Sequence, residues 1–162
     1  MREGYGFGVV QLASGQEAGT VVQATALVGT EAQVVDFNQL EDGLLGLTCV
    51  GKERFAIKRV WREKSGLNMA EVVDIPADSS AAVPLECAHL SEALRRLFPD
   101  LDDAYSWITP RWDDASWVGN RIAELAPLED AVKQGLLELQ DPLERLGYLA
   151  PLIRVEPASP DA

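Results

Sequence analysis

A few side chains in this 162-residue chain have types and neighbours that could support chemistry. Lys64 and Ser65 are adjacent, and a Ser-Lys pair can serve as base and nucleophile when the two meet in space. Here they open the turn-like run Lys64-Ser65-Gly66, and turn formation accounts for them. Asp100, Asp102 and Asp103 offer oxygen ligands for a hard cation but lack the spacing, turn glycine and bidentate Glu of a calcium loop, so they read as a solvated loop. Asp113-Asp114 stands before an apolar periodic stretch, where a helix needs a cap. Glu41-Asp42 adjoins Gly43 and reads as a turn. His89, the single histidine, has no Ser or Cys placed as a catalytic base requires, because Cys87 two positions away points to another side of a helix. One histidine and two cysteines, Cys49 and Cys87, without a CxxC spacing, cannot assemble the usual zinc sites. No GxxxxGK[ST] loop occurs, so the means of cradling a nucleotide phosphate are absent. The sequence predicts a chain that is not an enzyme, with no catalytic, cofactor-binding or metal-binding residues.

Two stretches suggest binding instead. From Lys52 to Lys64 six cations, Lys52, Arg54, Lys58, Arg59, Arg62 and Lys64, stand among only Glu53 and Glu63. The plain reading of Arg54, Lys58, Arg59 and Arg62 is a solvated strand face. Trp107, Trp112 and Trp117 recur every five residues around Tyr105 and Ile108, a spacing that is not helical. The reading is that some of these rings precede a helix and bridge the two parts of the chain. Large rigid rings can also capture apolar side chains of an unfolded polypeptide at small entropic cost.

The elements that would position these residues divide into two sets. Residues 1–77 carry strand signals: 5–12, 21–37, 44–50, 54–61 and 67–75, with Asp42-Gly43, Gly51-Lys52 and Lys64-Ser65-Gly66 as tight turns between successive pairs. This predicts a meander of about five strands curled into a small barrel. In RFAIKRVW, strict alternation would put Phe55, Ile57 and Trp61 on one face and Arg54 with Lys58 on the other. A Pro/Ser/Ala-rich linker near residue 78 gives way to helical periodicity over 78–162. Four helices are predicted. The first runs from Pro84 to Leu97 with Cys87, Leu90, Leu94 and Leu97 on one face. The second starts at Asp113 or Asp114 and presents Val118, Ile122 and Leu125. The third spans Leu128 to Leu139. The fourth is opened by the Asp141 cap, with Leu143, Leu146 and Leu149 as its buried stripe. The tail 156–162 reads as frayed.

Composition limits the partners. Lys+Arg number 14 against Asp+Glu 26, a formal charge of −12, divided as −3 over residues 1–77 and −9 over 78–162. Sequence-independent binding to nucleic acid draws its affinity from clustered cations, so nucleic acid and anionic membranes are both disfavoured. No apolar run long enough to cross a membrane and no secretory signal pattern is readable, and a cytoplasmic location is expected.

Two blocks of sequence resemble a known family. The first is FGVVQLASGQEAG (7–19) followed by VGTEAQVVDFNQLEDGLLGLTCVGKERFAI (28–57), with a glycine-threonine start, a D-G-L-L turn and a G-x-x-R-F strand. The second is DDASWVGNRIAELAPLEDAVKQGLLELQDPLERLGYL (113–149), with K-Q-x-L-L-E and D-x-x-x-R-L. In this order they are similar to the Lon protease N-terminal, substrate-binding domain family, which also exists as a stand-alone bacterial protein. The resemblance implies an α+β fold, a PUA-like antiparallel β-barrel followed by a small helical bundle. Family members usually begin with a Pro- and Leu-rich segment containing L-F-P-L and I-F-E-x-R-Y, whereas this chain starts MREGYGFGVV. The expectation is a barrel truncated at its N-terminus, with an open edge suited to homodimer formation.

The resemblance also implies function. The chain would be a non-catalytic module binding unfolded or hydrophobic polypeptide segments, or a protease partner, without cofactor. Affinity would come from apolar burial along a groove or strand edge, with acidic surroundings favouring basic segments. Phe37, Tyr105, Trp107 and Trp112 are the peptide-binding candidates by residue type. The PUA-like likeness also implies an alternative, an RNA-binding protein using the basic strand 52–64 with Arg54, Lys58, Arg59 and Arg62 as contacts, although RNA sites usually add exposed aromatics for stacking; a structural dimerisation subunit is the other alternative.

Overall fold

The computed structural model describes residues 6–14, 24–39, 43–101 and 103–154. Tyr5, residues 21–23, Glu41-Asp42, Asp102 and the tail 156–162, each part of a sequence expectation, lie outside them. The chain divides into two compact units, Met1–Ala77 and Asp78–Ala162, one of strands and one of helices, and the fold is α+β.

The first unit is an antiparallel meander of β1 (Gly6–Ser14), β2 (Ala24–Gln39), β3 (Leu45–Arg62) and β4 (Asn68–Asp74), hydrogen-bonded in that order. The chain reverses at Gly43 and Gly66, whose φ of 84° and 91° lies where only glycine is unstrained. At the second turn Glu63 N–H donates to Leu67 O at 2.9 Å, and Gly66 N–H donates to Glu63 O at 2.9 Å.

The expected turn at Gly51-Lys52 is not formed: segments 44–50 and 54–61 join in the single 18-residue strand β3. Gly51 keeps an ordinary φ, and β2 pairs on both sides of it, Ala32 with Gly51 and Thr30 with Arg54. The extra residue in β3 between these pairs is a β-bulge, which bends a strand without ending it. A second bulge between Ile57 and Arg59 overturns the expected alternation. Ile57 pairs with Val72 but Arg59 with Glu71, so the pleat changes parity at Lys58. Trp61 therefore shares a face with Arg59 rather than with Phe55 and Ile57.

Phe55 and Ala32 are the buried apolar side chains of this unit among the described residues. The Phe55 ring lies against glycine backbone. A Cβ added at Gly29 would stand 2.7 Å from Phe55 Cζ and 2.5 Å from the Val9 carbonyl oxygen, and one added at Gly8 would stand 2.8 Å from the same ring atom. Bare backbone at both positions lets the ring close down on neighbouring strands.

The second unit holds α1 (Ala88–Leu97), α2 (Ala115–Leu125), α3 (Asp130–Glu138) and α4 (Pro142–Leu149). Asp114 caps α2 by accepting from the Ser116 and Trp117 amides at 2.9 and 3.2 Å. Asp141 caps α4 by accepting from Leu143 N–H at 2.9 Å, ahead of Pro142 in the first turn. Cys87, Leu90, Leu94, Val118, Ile122, Leu136, Leu146 and Leu149 form the core. Two expected stripe members, Leu97 and Leu143, are exposed. In α4 the buried positions are Pro142, Arg145, Leu146 and Leu149, the i, i+3, i+4, i+7 set of one helix face. That set turns Leu143 outward and takes a charged residue in.

Arg145 is fully buried, and so nearly is its partner Asp78. Its guanidinium donates to Asp78 Oδ2 at 2.6 Å, to Leu136 O at 2.9 Å and to Leu139 O. Ser116 Oγ adds a donor to the same carboxylate oxygen at 2.7 Å. A Cβ at position 119 would come within 3.2 Å of Arg145 Cδ, so Gly119 leaves room for the arginine stem. One side chain thus ties α4, the end of α3 and the segment before α1 together, and Ser116 of α2 shares its carboxylate.

Candidate functional site

β2 and β3 outrun their neighbours. β1 pairs with β2 only from Ala24 to Gln33, and β4 pairs with β3 only from Phe55 to Arg62. Beyond those limits Val34–Gln39 and Leu45–Val50 have each other as strand partners among the described residues. They form a two-stranded ribbon that extends past the described parts of β1 and β4.

The register sorts the ribbon's side chains, since cross-strand partners project from the same face. Phe37 pairs with Leu47, Gln39 with Leu45 and Val34 with Cys49, so one face carries Val34, Phe37, Leu45, Leu47 and Cys49, with Gln39 as its one polar member. The opposite face carries Asp36 with Thr48 and Asn38 with Gly46. A sheet with one apolar face ordinarily turns that face to a core. Here it stays in solvent: Phe37 is 69% exposed, Leu45 62% and Leu47 49%. At the tip, Phe37, Asn38, Gln39, Gly43, Leu44 and Leu45 line a shallow depression of about 270 Å³.

Of the four side chains that sequence reasoning offered for polypeptide capture, Phe37 lies on this ribbon, and the other three belong to the helical unit. Trp112 packs edge-on against Phe98 and Trp117, with ring centroids 5.3 and 5.1 Å away. Arg95 lies over its ring at 4.9 Å. Trp112 is therefore part of the aromatic edge of the helical core, and Trp117 is buried within it. Tyr105 donates its hydroxyl to Glu124 Oε1 at 2.8 Å. Burial first, and then the hydrogen bond and charge of Glu124, push its phenol up to about 12, against a smaller opposing pull from Arg121. Trp107, 55% exposed, is the one of these three helical-unit side chains that faces solvent. Sequence reasoning missed Leu45 and Leu47, whose i, i+2 spacing looks the same for an inward and an outward strand face.

The basic stretch is held locally. Arg59 stacks over Trp61 at 5.1 Å and lies 4.0 Å from Glu71, while Arg62 donates to Gly66 O at 2.9 Å and so braces the β3–β4 turn. Lys58 is exposed at its bulge and Arg54 is half-buried. Lys64 and Ser65 are turn residues, Ser65 Oγ accepting from Leu67 N–H at 3.4 Å. His89 donates from Nε2 to Ala150 O at 3.1 Å, across from α1 to the end of α4. Cys87 is buried and Cys49 exposed, both as free thiols. Burial, with Glu86 adding to it, raises the Cys87 thiol above its usual range. No His, Cys, Asp and Glu cluster able to hold a metal ion occurs among the described residues. No helix among them is long and apolar enough to cross a membrane.

A profile of the ATP-dependent protease La (LON) substrate-binding domain matches residues 2–154. A solved structure of a Lon N-terminal domain protein from Xanthomonas campestris is 30% identical and superposes with a TM-score of 0.70, covering 93% of this chain and 77% of that one. The N-terminal domain of the Lon protease of Mycobacterium avium complex is 19% identical, with a TM-score of 0.59 over 82% of this chain and 72% of that one, a likeness of fold. No curated protein sequence matches.

Proposed function

The chain belongs to the LON substrate-binding domain family, and from that membership we propose that it is a non-catalytic module that holds unfolded or hydrophobic polypeptide segments. The observation that carries this reading is the ribbon of β2 and β3, which keeps Phe37, Leu45 and Leu47 in solvent on one face. Exposed clustered apolar side chains on a structured element mark an interaction surface. Trp107 in the helical unit is a second apolar contact, and a boundary near residue 78 would let the two units carry separate parts of the task. A PUA-like closure of the sheet into a barrel, a cytoplasmic setting and a protease partner that receives the held segment complete the proposal.

The same geometry argues against RNA on the basic strand, because Arg59 and Arg62 already serve Glu71, Trp61 and the β3–β4 turn. The test is fluorescence anisotropy with a labelled unfolded polypeptide and a labelled structured RNA, each at two salt concentrations. Saturable polypeptide binding, little weakened by salt and lowered about tenfold or more by Phe37→Ser with Leu47→Ser, is the expected result. RNA binding that collapses at the higher salt would overturn it.

A further inference from the structure

Resting on that reading, we propose that the ribbon takes its polypeptide as an added β-strand along the edge of β3 from Leu45 to Gly51, which has no second strand partner among the described residues, and that the preferred segment is extended, apolar at alternate positions and flanked by Lys or Arg. A two-stranded ribbon is marginal in water, and a third strand supplies backbone partners and sets its own apolar side chains beside those of the ribbon.

The two edges of the ribbon differ. On β2 the register slips between Val34 and Asp36, which pair with the consecutive residues Cys49 and Thr48. Val35 is thus an extra residue, and a bulge spoils a regular hydrogen-bonding edge. On β3 the pairing runs without a slip of its own from Leu45 to Gly51, and its bulge comes only between Gly51 and Arg54. β4 reaches β3 no further than Phe55. β3 therefore presents seven regular residues to an incoming strand, with Leu45, Leu47 and Cys49 at alternate positions on the apolar face. A strand added there places its own alternate side chains beside them.

Charge narrows the occupant. Residues 33–50 contain Asp36, Glu41 and Asp42 and no Lys, Arg or His, and residues 1–77 carry −3. Among the described ribbon residues the charged side chain is Asp36. A cationic flank on the segment is attracted by this field, and an anionic one is repelled.

The proposal is tested with nine-residue peptides of alternating apolar and polar residues, flanked by two Lys or by two Glu at each end. Each is also prepared with backbone N-methyl groups at the odd or at the even positions. A strand offers only alternate N–H groups to its neighbour, so one N-methyl series loses roughly tenfold to a hundredfold in affinity and the other does not. The Lys-flanked peptide binds about fivefold or more tighter than the Glu-flanked one at low salt, and the gap closes as salt rises. Leu45→Lys with Leu47→Lys, both at exposed positions, abolishes binding while circular dichroism stays unchanged. Equal loss, or no loss, from both N-methyl series overturns strand addition while leaving polypeptide binding standing. Equal affinity for the two flanks overturns the charge preference. Should sedimentation show a dimer that the Leu45/Leu47 variant dissolves, with no peptide bound, the occupant is a second copy and the proposal fails. Failure of every peptide and of the unfolded polypeptide together would instead remove the functional reading beneath it.

Discussion

Arg145 shows how far a single side chain can decide the packing of its unit. It is fully buried and donates to Asp78, Leu136 and Leu139. Sequence periodicity passes over a charged residue when collecting an apolar stripe, which is why Leu143 looked like the inward member and is not. Removing one partner of a buried ion pair leaves the other charge uncompensated, so Arg145→Met is expected to cost about 3–5 kcal/mol in urea denaturation. Tyr105 gives a spectroscopic check on the same unit. Its phenol titrates at about 12 against an ordinary 10.0 because of burial and Glu124. The folded state holds this proton longer than the unfolded chain does. The associated stability is therefore intact below about pH 10 and is lost as pH climbs through 12. Absorbance titration near 295 nm should show one late tyrosine, and Glu124→Gln should bring it part of the way back; an unmoved midpoint would count against the assigned contact.

At the scale of elements, caps and turns were legible because their chemistry is local. Asp114 and Asp141 cap the helices that follow them, and Gly43 and Gly66 take positive φ. What sequence alone did not reveal was where glycine does not turn. Gly51 looks like Gly43 in sequence but is paired on both sides by β2, a long-range fact. The bulge at Lys58 was equally hidden, since nothing in RFAIKRVW marks the position where the pleat changes parity. The candidate site was half legible for a related reason: Phe37 could be chosen by type, but the exposure of its cross-strand partner Leu47 depends on how far β1 and β4 extend. Glycines give a two-sided test of the elements. Gly29→Ala forces a Cβ to 2.5 Å from the Val9 carbonyl oxygen and is expected to destabilise by about 1–3 kcal/mol. Gly135→Ala, inside α3 with nothing within 4 Å of the new Cβ, is expected to stabilise by about 0.5–1 kcal/mol. Opposite shifts in denaturation midpoint would support both assignments, and equal shifts would refute them.

For the whole molecule, two opposed features set behaviour in solution: a net charge of −12 and an apolar ribbon face held in water. Like charge keeps copies apart over roughly a Debye length, about 8–10 Å at moderate salt, while exposed apolar area favours contact at short range. Near neutral pH repulsion prevails. Carboxylates take up protons as pH falls, and at the isoelectric point of about 4.4 the repulsion is gone. Self-association followed by light scattering is therefore expected to rise steadily from pH 7 towards 4.4, and added salt at pH 7 should reproduce part of the rise by screening. If the ribbon is the adhesive surface, Phe37→Ser with Leu47→Ser lowers scattering across this range, while circular dichroism and urea stability at pH 7 stay as they were, because both side chains already face solvent. Scattering that rises equally in the variant would place the adhesive surface elsewhere, and a loss of stability would mean that these residues support the sheet rather than its partners.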